Sequence, residues 1–217
     1  MRLKSFSLKN FRGYRNEVRI NMSDLTVFVG RNDIGKSTIL EALDIFFNDK
    51  SAVSPIDLAD VNKDAIISGD TETVFTAVFD NLPDTIIIDD TGSTTLQDEM
   101  LLDSNSCLTV VKKYQAAGKP KIYIKANHPT NPNCNDLLLQ KIADLKKKAN
   151  GLDCSDRTKK ALLRKAIWNH YANDLQLEEG EIDTTGDGLK DIWQKLDLYM
   201  PIYSLFQSDR SNSDKDK

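Results

Sequence analysis

The 217-residue sequence has few of the residues that build covalent staples or metal sites. Its three cysteines (Cys107, Cys134, Cys154) are odd in number, far apart and form no Cys-x-x-Cys pair, and His128 and His170 are its only histidines. These counts exclude a disulfide framework and a Cys/His zinc centre, and point to reduced thiols. No apolar run approaches the roughly 20 residues of a membrane-spanning helix. The N-terminus carries Arg2, Lys4 and Lys9 but no continuous apolar stretch, so no secretory signal is read there. The expected location is the cytoplasm. A net charge of −4 does not describe a chain coated in nucleic acid. It still permits a local basic surface, because the balance is a sum and not a map. With 40% hydrophobic and 29% charged residues, the chain can bury a core over one or two domains.

One stretch is dense in chemistry. Leu25-Thr-Val-Phe-Val reads as a strand, Gly30-Arg-Asn-Asp-Ile-Gly35 as a glycine-rich turn, and Lys36-Ser-Thr-Ile-Leu-Glu-Ala-Leu43 as the start of a helix. Gly30 to Ser37 matches G-x-x-x-x-G-K-[ST] at every fixed position, in the strand–loop–helix context that the motif requires. Glycines let backbone N–H groups turn inward around phosphates, the helix N-terminus adds partial positive charge, and Lys36 adds a full one. The Ser37 hydroxyl is placed to ligate Mg²⁺. The expected ATP contacts are Gly30, Arg31, Asn32, Asp33, Ile34, Gly35, Lys36, Ser37 and Thr38.

Two strands precede this loop. Arg2 to Phe11 alternates loosely, Asn10-Phe-Arg-Gly13 makes a turn, and Glu17 to Ile20 reads as a second strand. A Rossmann-like binder usually reaches its phosphate loop after the first strand. The combination of Leu8-Lys-Asn-Phe-Arg-Gly-Tyr14 with Val29-Gly-Arg-Asn-Asp-Ile-Gly-Lys-Ser-Thr-Ile-Leu-Glu-Ala-Leu43 resembles the start of the ABC-type ATPases of the SMC, RecF and OLD group. Asn32-Asp33 with Ser-Thr-Ile-Leu-Glu-Ala-Leu resembles most the OLD family of ATP-dependent endonucleases. The resemblance is strong over residues 1–48 and weaker near 200–210. It implies a mixed α/β fold, an ABC-type P-loop ATPase N-terminal lobe with a β meander and a helical insertion. It also implies ATP and Mg²⁺ as cofactors, DNA as a partner, and a homodimer or a second ATPase head. For Arg12 it implies a phosphate contact, where spacing alone gives an exposed turn arginine.

Further along, residues 71–79 alternate as a strand. Ile86-Ile-Ile-Asp89-Asp90 mimics the Walker B pattern, in which a carboxylate holds Mg²⁺. It lies too early in the chain for an ABC-type ATPase, so it reads as a sheet strand ending in a turn. Residues 107–114 and 121–125 form a hairpin around Gly118. Its lysines (112, 113, 119, 121, 125) read as a solvated sheet face, with nucleic-acid contact as the alternative, since only Tyr114 and Tyr123 offer stacking surfaces. His128-Pro-Thr-Asn-Pro-Asn133 reads as a loop.

Leu138, Ile142, Leu145 and Ala149 recur at helical spacing, with Asn150-Gly151 as the expected C-cap. Ser155 is the expected N-cap of a second helix carrying Leu162, Leu163, Ala166, Ile167 and Tyr171 inward. Both are too short for a coiled coil. Asp183-Thr-Thr-Gly-Asp-Gly188 fails as a calcium loop, because Thr185 and Gln194 stand where ligands are required. A third helix follows with Leu189, Ile192, Trp193 and Leu196 inward. Met200 to Phe206 reads as a short strand. The resemblance nominates Gln207 as a bridge between Mg²⁺ and an attacking water.

The expected plan is a P-loop lobe with an antiparallel sheet at 1–130, a helical insertion at 131–198, a return strand at 199–210 and a disordered tail at 211–217. No Ser-Gly-Gly-rich signature, late Walker B or Toprim nuclease cluster appears. The chain therefore reads as the first half of a larger ATPase, implied by resemblance to act on DNA in defence against foreign DNA. The alternative is a non-hydrolysing module in which ATP drives dimerisation or partner binding. A GTPase or kinase is disfavoured: no Asn/Thr-Lys-x-Asp motif follows the loop.

Overall fold

The computed structural model describes residues 1–30, 35–53, 55–115, 118–185 and 189–206. Its spine is a six-stranded antiparallel sheet in the order β2-β1-β3-β6-β7-β8. Strand β1 (Arg2–Lys9) pairs with β2 (Val18–Asn21) on one side and β3 (Glu72–Asp80) on the other. A short hairpin, β4 (Ile86–Asp89) and β5 (Gly92–Thr94), stands apart as a second sheet. Strands β6 (Leu108–Gln115), β7 (Lys121–Pro129) and β8 (Leu177–Asp183) complete the main sheet.

Period-2 patterning selects the inner face of that sheet. Along β3, Thr73, Phe75, Ala77 and Phe79 are buried while their neighbours are half-exposed. Helix α1 (Lys36–Asn48) lies against this face with Ile39, Ala42, Leu43, Ile45 and Phe46 buried. Aromatic rings lock the contact: Phe6 meets Phe46 edge-on at 5.7 Å, and Phe75 meets Phe11 at 5.1 Å and Tyr114 at 5.6 Å. Burying each such ring contributes roughly 1.5–3 kcal/mol. Lys112 also points inward, its ammonium donating to the Phe46 carbonyl at 2.7 Å near the last turn of α1. A cation suits that position, where the helix dipole is negative.

After the short helix α2 (Lys63–Ile67), a second layer holds α3 (Ile142–Lys148), α4 (Lys160–His170) and α5 (Lys190–Asp197). Helix α5 packs on β4, and Leu189, Ile192, Trp193 and Leu196 are buried as their spacing predicts. Trp168 on α4 donates its indole N–H to the Cys134 carbonyl at 3.0 Å. Gly151 sits at φ 79° just past α3, in the left-handed conformation expected of a C-cap glycine.

Several elements differ from the sequence expectation. The predicted helix from Leu138 is split: Leu137–Leu139 is a 3₁₀ turn, and α3 begins only at Ile142. Ser155 does not cap α4. Asp156 accepts hydrogen bonds from the Thr158 amide and hydroxyl, holding a turn that delays the helix to Lys160. The loop expected at His128 is still strand, because β8 supplies partners for His128 and Pro129. Strand β8 itself, Leu-Glu-Glu-Gly-Glu-Ile-Asp, was not expected, since acids and glycine are poor strand formers. It falls inside the span expected to be helical and forms the sheet edge. No helix among the described residues is long and apolar enough to cross a membrane.

The largest difference concerns residues 25–29. Their strand-like residues predict the third strand, but they belong to no sheet. Phe28 packs on the core, whereas Leu25, Val27 and Val29 are 80%, 68% and 86% exposed. Residues 201–206 repeat the arrangement. Tyr203 stacks on Phe47 and donates to the Leu40 carbonyl at 3.0 Å, while Ile202 and Phe206 are 97% and 92% exposed. The predicted return strand is likewise unpaired over its described part.

Candidate functional site

Helix α1 begins at Gly35, which has φ 88° and a left-handed backbone. The first intrahelical bond runs from the Ile39 amide to the Gly35 carbonyl at 3.2 Å. The amides of Lys36, Ser37 and Thr38 therefore precede the helical ladder. No side chain caps this end, and no acidic residue lies in the first turn. Such a terminus carries partial positive charge and backbone donors ahead of the helical ladder, which suit a phosphate. The Lys36 ammonium donates to the Gly30 carbonyl at 2.7 Å, closing the two ends of the glycine-rich turn toward each other. The Ser37 and Thr38 hydroxyls belong to the same first turn. Arg31, Asn32, Asp33 and Ile34 lie outside the described residues, as does Gln207.

Tyr14 is a neighbour of this turn that motif matching did not nominate. Its hydroxyl donates to the Gly35 carbonyl at 3.3 Å. A Cβ at position 35 would lie 2.6 Å from the Tyr14 hydroxyl oxygen. Glycine is thus required here by the backbone angle and again by the tyrosine. The signal lay in the Asn10–Tyr14 turn, where attention falls first on Arg12.

Arg12 is held in ion pairs. Its guanidinium contacts Glu41 on α1 at 2.6 Å and Asp60 at 2.7 Å. Burial works against the charged form, but the hydrogen bonds that Arg12 donates to Asp60 and Glu41 outweigh it and raise the Arg12 pKa. Two carboxylates thus occupy the group that resemblance nominates for phosphate. In this conformation Arg12 braces α1 against the turn at 58–60.

The Walker-B-like run takes a structural place. Asp89 ends β4 and accepts from the Thr91 amide at 2.9 Å and from Arg164 at 2.9 Å. Burial alone would raise its pKa, but these hydrogen bonds hold it below the usual carboxylate range. Arg164 is itself buried and makes a two-pronged contact with Glu99 at 2.6 and 2.8 Å. Asp90 pairs with Lys195 on α5. Among the described residues no group of three His, Cys, Asp or Glu could hold a metal ion. Two lysines of the β6–β7 hairpin pair with glutamates of β8: Lys113 with Glu181 at 2.6 Å and Lys125 with Glu179 at 2.8 Å. With Lys112 turned inward, three of the five are committed to the fold, while Lys119 and Lys121 are exposed.

An antiparallel sheet packed on a helix that starts at Gly35 without a side-chain cap, with lysine and hydroxyl groups in its first turn, defines a P-loop nucleotide-binding lobe. The AAA ATPase domain family matches residues 1–217, and the chain belongs to that family of ATP-binding modules. No curated protein matches the chain. Among matching solved structures is one from a study of ATP-driven dimerisation and DNA-stimulated activation of SMC ATPases, 16% identical, covering 57% of this chain and 69% of that one with a TM-score of 0.39.

Proposed function

We propose that this chain is the ATP-binding lobe of an OLD-like ATPase of the SMC and RecF type. ATP phosphates lie against the amides of residues 31–37 and the Lys36 ammonium, and Ser37 ligates Mg²⁺. The open first turn of α1, with Lys36 reaching to Gly30, carries this reading. Hydrolysis is completed by elements outside the lobe, in the remainder of a longer protein or on a second head. The unpaired, exposed apolar residues at 25–29 and 201–206 support that reading, because several large apolar side chains left open to solvent mark a surface that another element or partner covers. A cytoplasmic place and a role with DNA in defence against foreign DNA follow from the resemblance alone.

A second reading is a non-hydrolysing module in which ATP promotes dimerisation. The engagement of Asp89 by Arg164 favours it for the chain by itself, since that carboxylate is committed to structure. ATP binding and turnover with Mg²⁺, measured beside Lys36→Ala, separate the cases. Binding that the variant loses, with negligible turnover in both, is expected of a lobe that needs a partner. Addition of the remaining protein or a second head should then restore turnover under the first reading and not under the second. No ATP binding by the wild type would sink both.

A further inference from the structure

At the far end of α1 from the phosphate loop, the helix runs out against the β6–β7 hairpin beside a cavity of about 740 Å³. Small-molecule sites commonly measure roughly 300–1,000 Å³. The walls are mainly apolar: Ile45 on α1, Ile56 in the loop that follows, the ring of Tyr114 on β6, and Pro120 and Ile122 where the hairpin returns. Lys119 stands exposed at the rim.

Asp49 supplies the acceptor group. It caps α1 with φ 45° and ψ −114°, a backbone region that a residue with a Cβ rarely adopts. Strain of this kind is kept where surrounding structure enforces it, and it gathers at ligand clamps. The Asp49 carboxylate accepts from the Tyr114 hydroxyl at 2.9 Å and from Lys112 at 3.1 and 3.2 Å. Its side chain remains 39% exposed, whereas that of Lys112 is 4% exposed. A carboxylate has about four acceptor positions, so one is left for an incoming donor. The exposed edge of the Asp49 carboxylate thus borders the cavity as an acceptor.

We infer that this cavity binds a small ring-bearing molecule whose amine group hydrogen-bonds to Asp49. The ring fills the space between the isoleucines and Pro120, and the ammonium takes the last acceptor position of the carboxylate. The site is separate from the phosphate loop and does not depend on nucleotide.

Tryptamine and indole-3-propionate carry the same ring with opposite charges and serve as probes without ATP. In a methyl NMR titration of the 217-residue chain, tryptamine should saturably shift the resonances of Ile45, Ile56 and Ile122. Indole-3-propionate should bind at least about tenfold more weakly, the scale of a charge-assisted hydrogen bond. Asp49→Asn should remove most of that preference. Ile56→Trp, at a partly exposed wall position, should fill the cavity and abolish binding even if Asp49→Asn perturbs the helix end. Equal affinity for the two probes, shifts that miss the three isoleucines, or full binding by Ile56→Trp would overturn the proposal.

Discussion

Residues 72–80 and residues 25–29 share an alternating apolar pattern and have opposite fates. The first becomes β3, paired on both edges and buried on one face. The second joins no sheet and leaves three of its apolar side chains exposed. An apolar pattern therefore does not by itself make a strand, and pairing depends on which strands lie alongside. For β3 those strands are β1 and β6, within the described lobe. Nothing described here flanks residues 25–29, although they lead directly into the phosphate loop.

The contrast can be broken at its strong end first. Phe75 touches Phe6, Phe11 and Tyr114, so Phe75→Ala should lose about 3–5 kcal/mol of stability in urea unfolding. A loss below about 1 kcal/mol would mean that the sheet core is loose. An intermediate effect belongs to Tyr14, which links the β1–β2 turn to the start of the phosphate helix. Tyr14→Phe keeps the ring and removes the bond to Gly35, so about 0.5–1 kcal/mol should be lost and ATP should be held less tightly. Unchanged ATP affinity would reduce Tyr14 to a packing residue. The weak end is Val27. Val27→Lys should alter stability by no more than about 0.5 kcal/mol, the usual range for surface changes, and should reduce any self-association seen by sedimentation. A loss of about 2 kcal/mol would show that Val27 is packed.

Much of the fold could be read from residue pattern. The strands at 2–9, 18–21, 72–80 and 108–115 and the inward residues of α5 follow from period 2 and period 3.6. Lys36 and Ser37 at a helix start follow from the motif. What was hidden depends on partners distant in sequence. Strand β8 has poor strand chemistry by itself and forms along the free edge of β7, with Glu179 and Glu181 also meeting Lys125 and Lys113. The start of α4 depends on a local contest that Asp156 wins over Ser155. Tyr14 and Gly35 are 21 positions apart, and no spacing rule joins them. Arg12 likewise gives no hint in sequence that Glu41 and Asp60 will hold it.

Strand β8 also guards the sheet. It lies at one edge of six strands, where backbone donors and acceptors invite another chain to add itself. Glu178, Glu179 and Glu181 line that edge. Glu179 and Glu181 are tied to Lys125 and Lys113, so a second copy approaching there would set these committed pairs and Glu178 against the same acids of its partner. Gly180, in the middle of the row, further weakens it as a template. Growth by edge-to-edge stacking is thus opposed at β8, so the two edges of the sheet, β8 and β2, are unequal as templates.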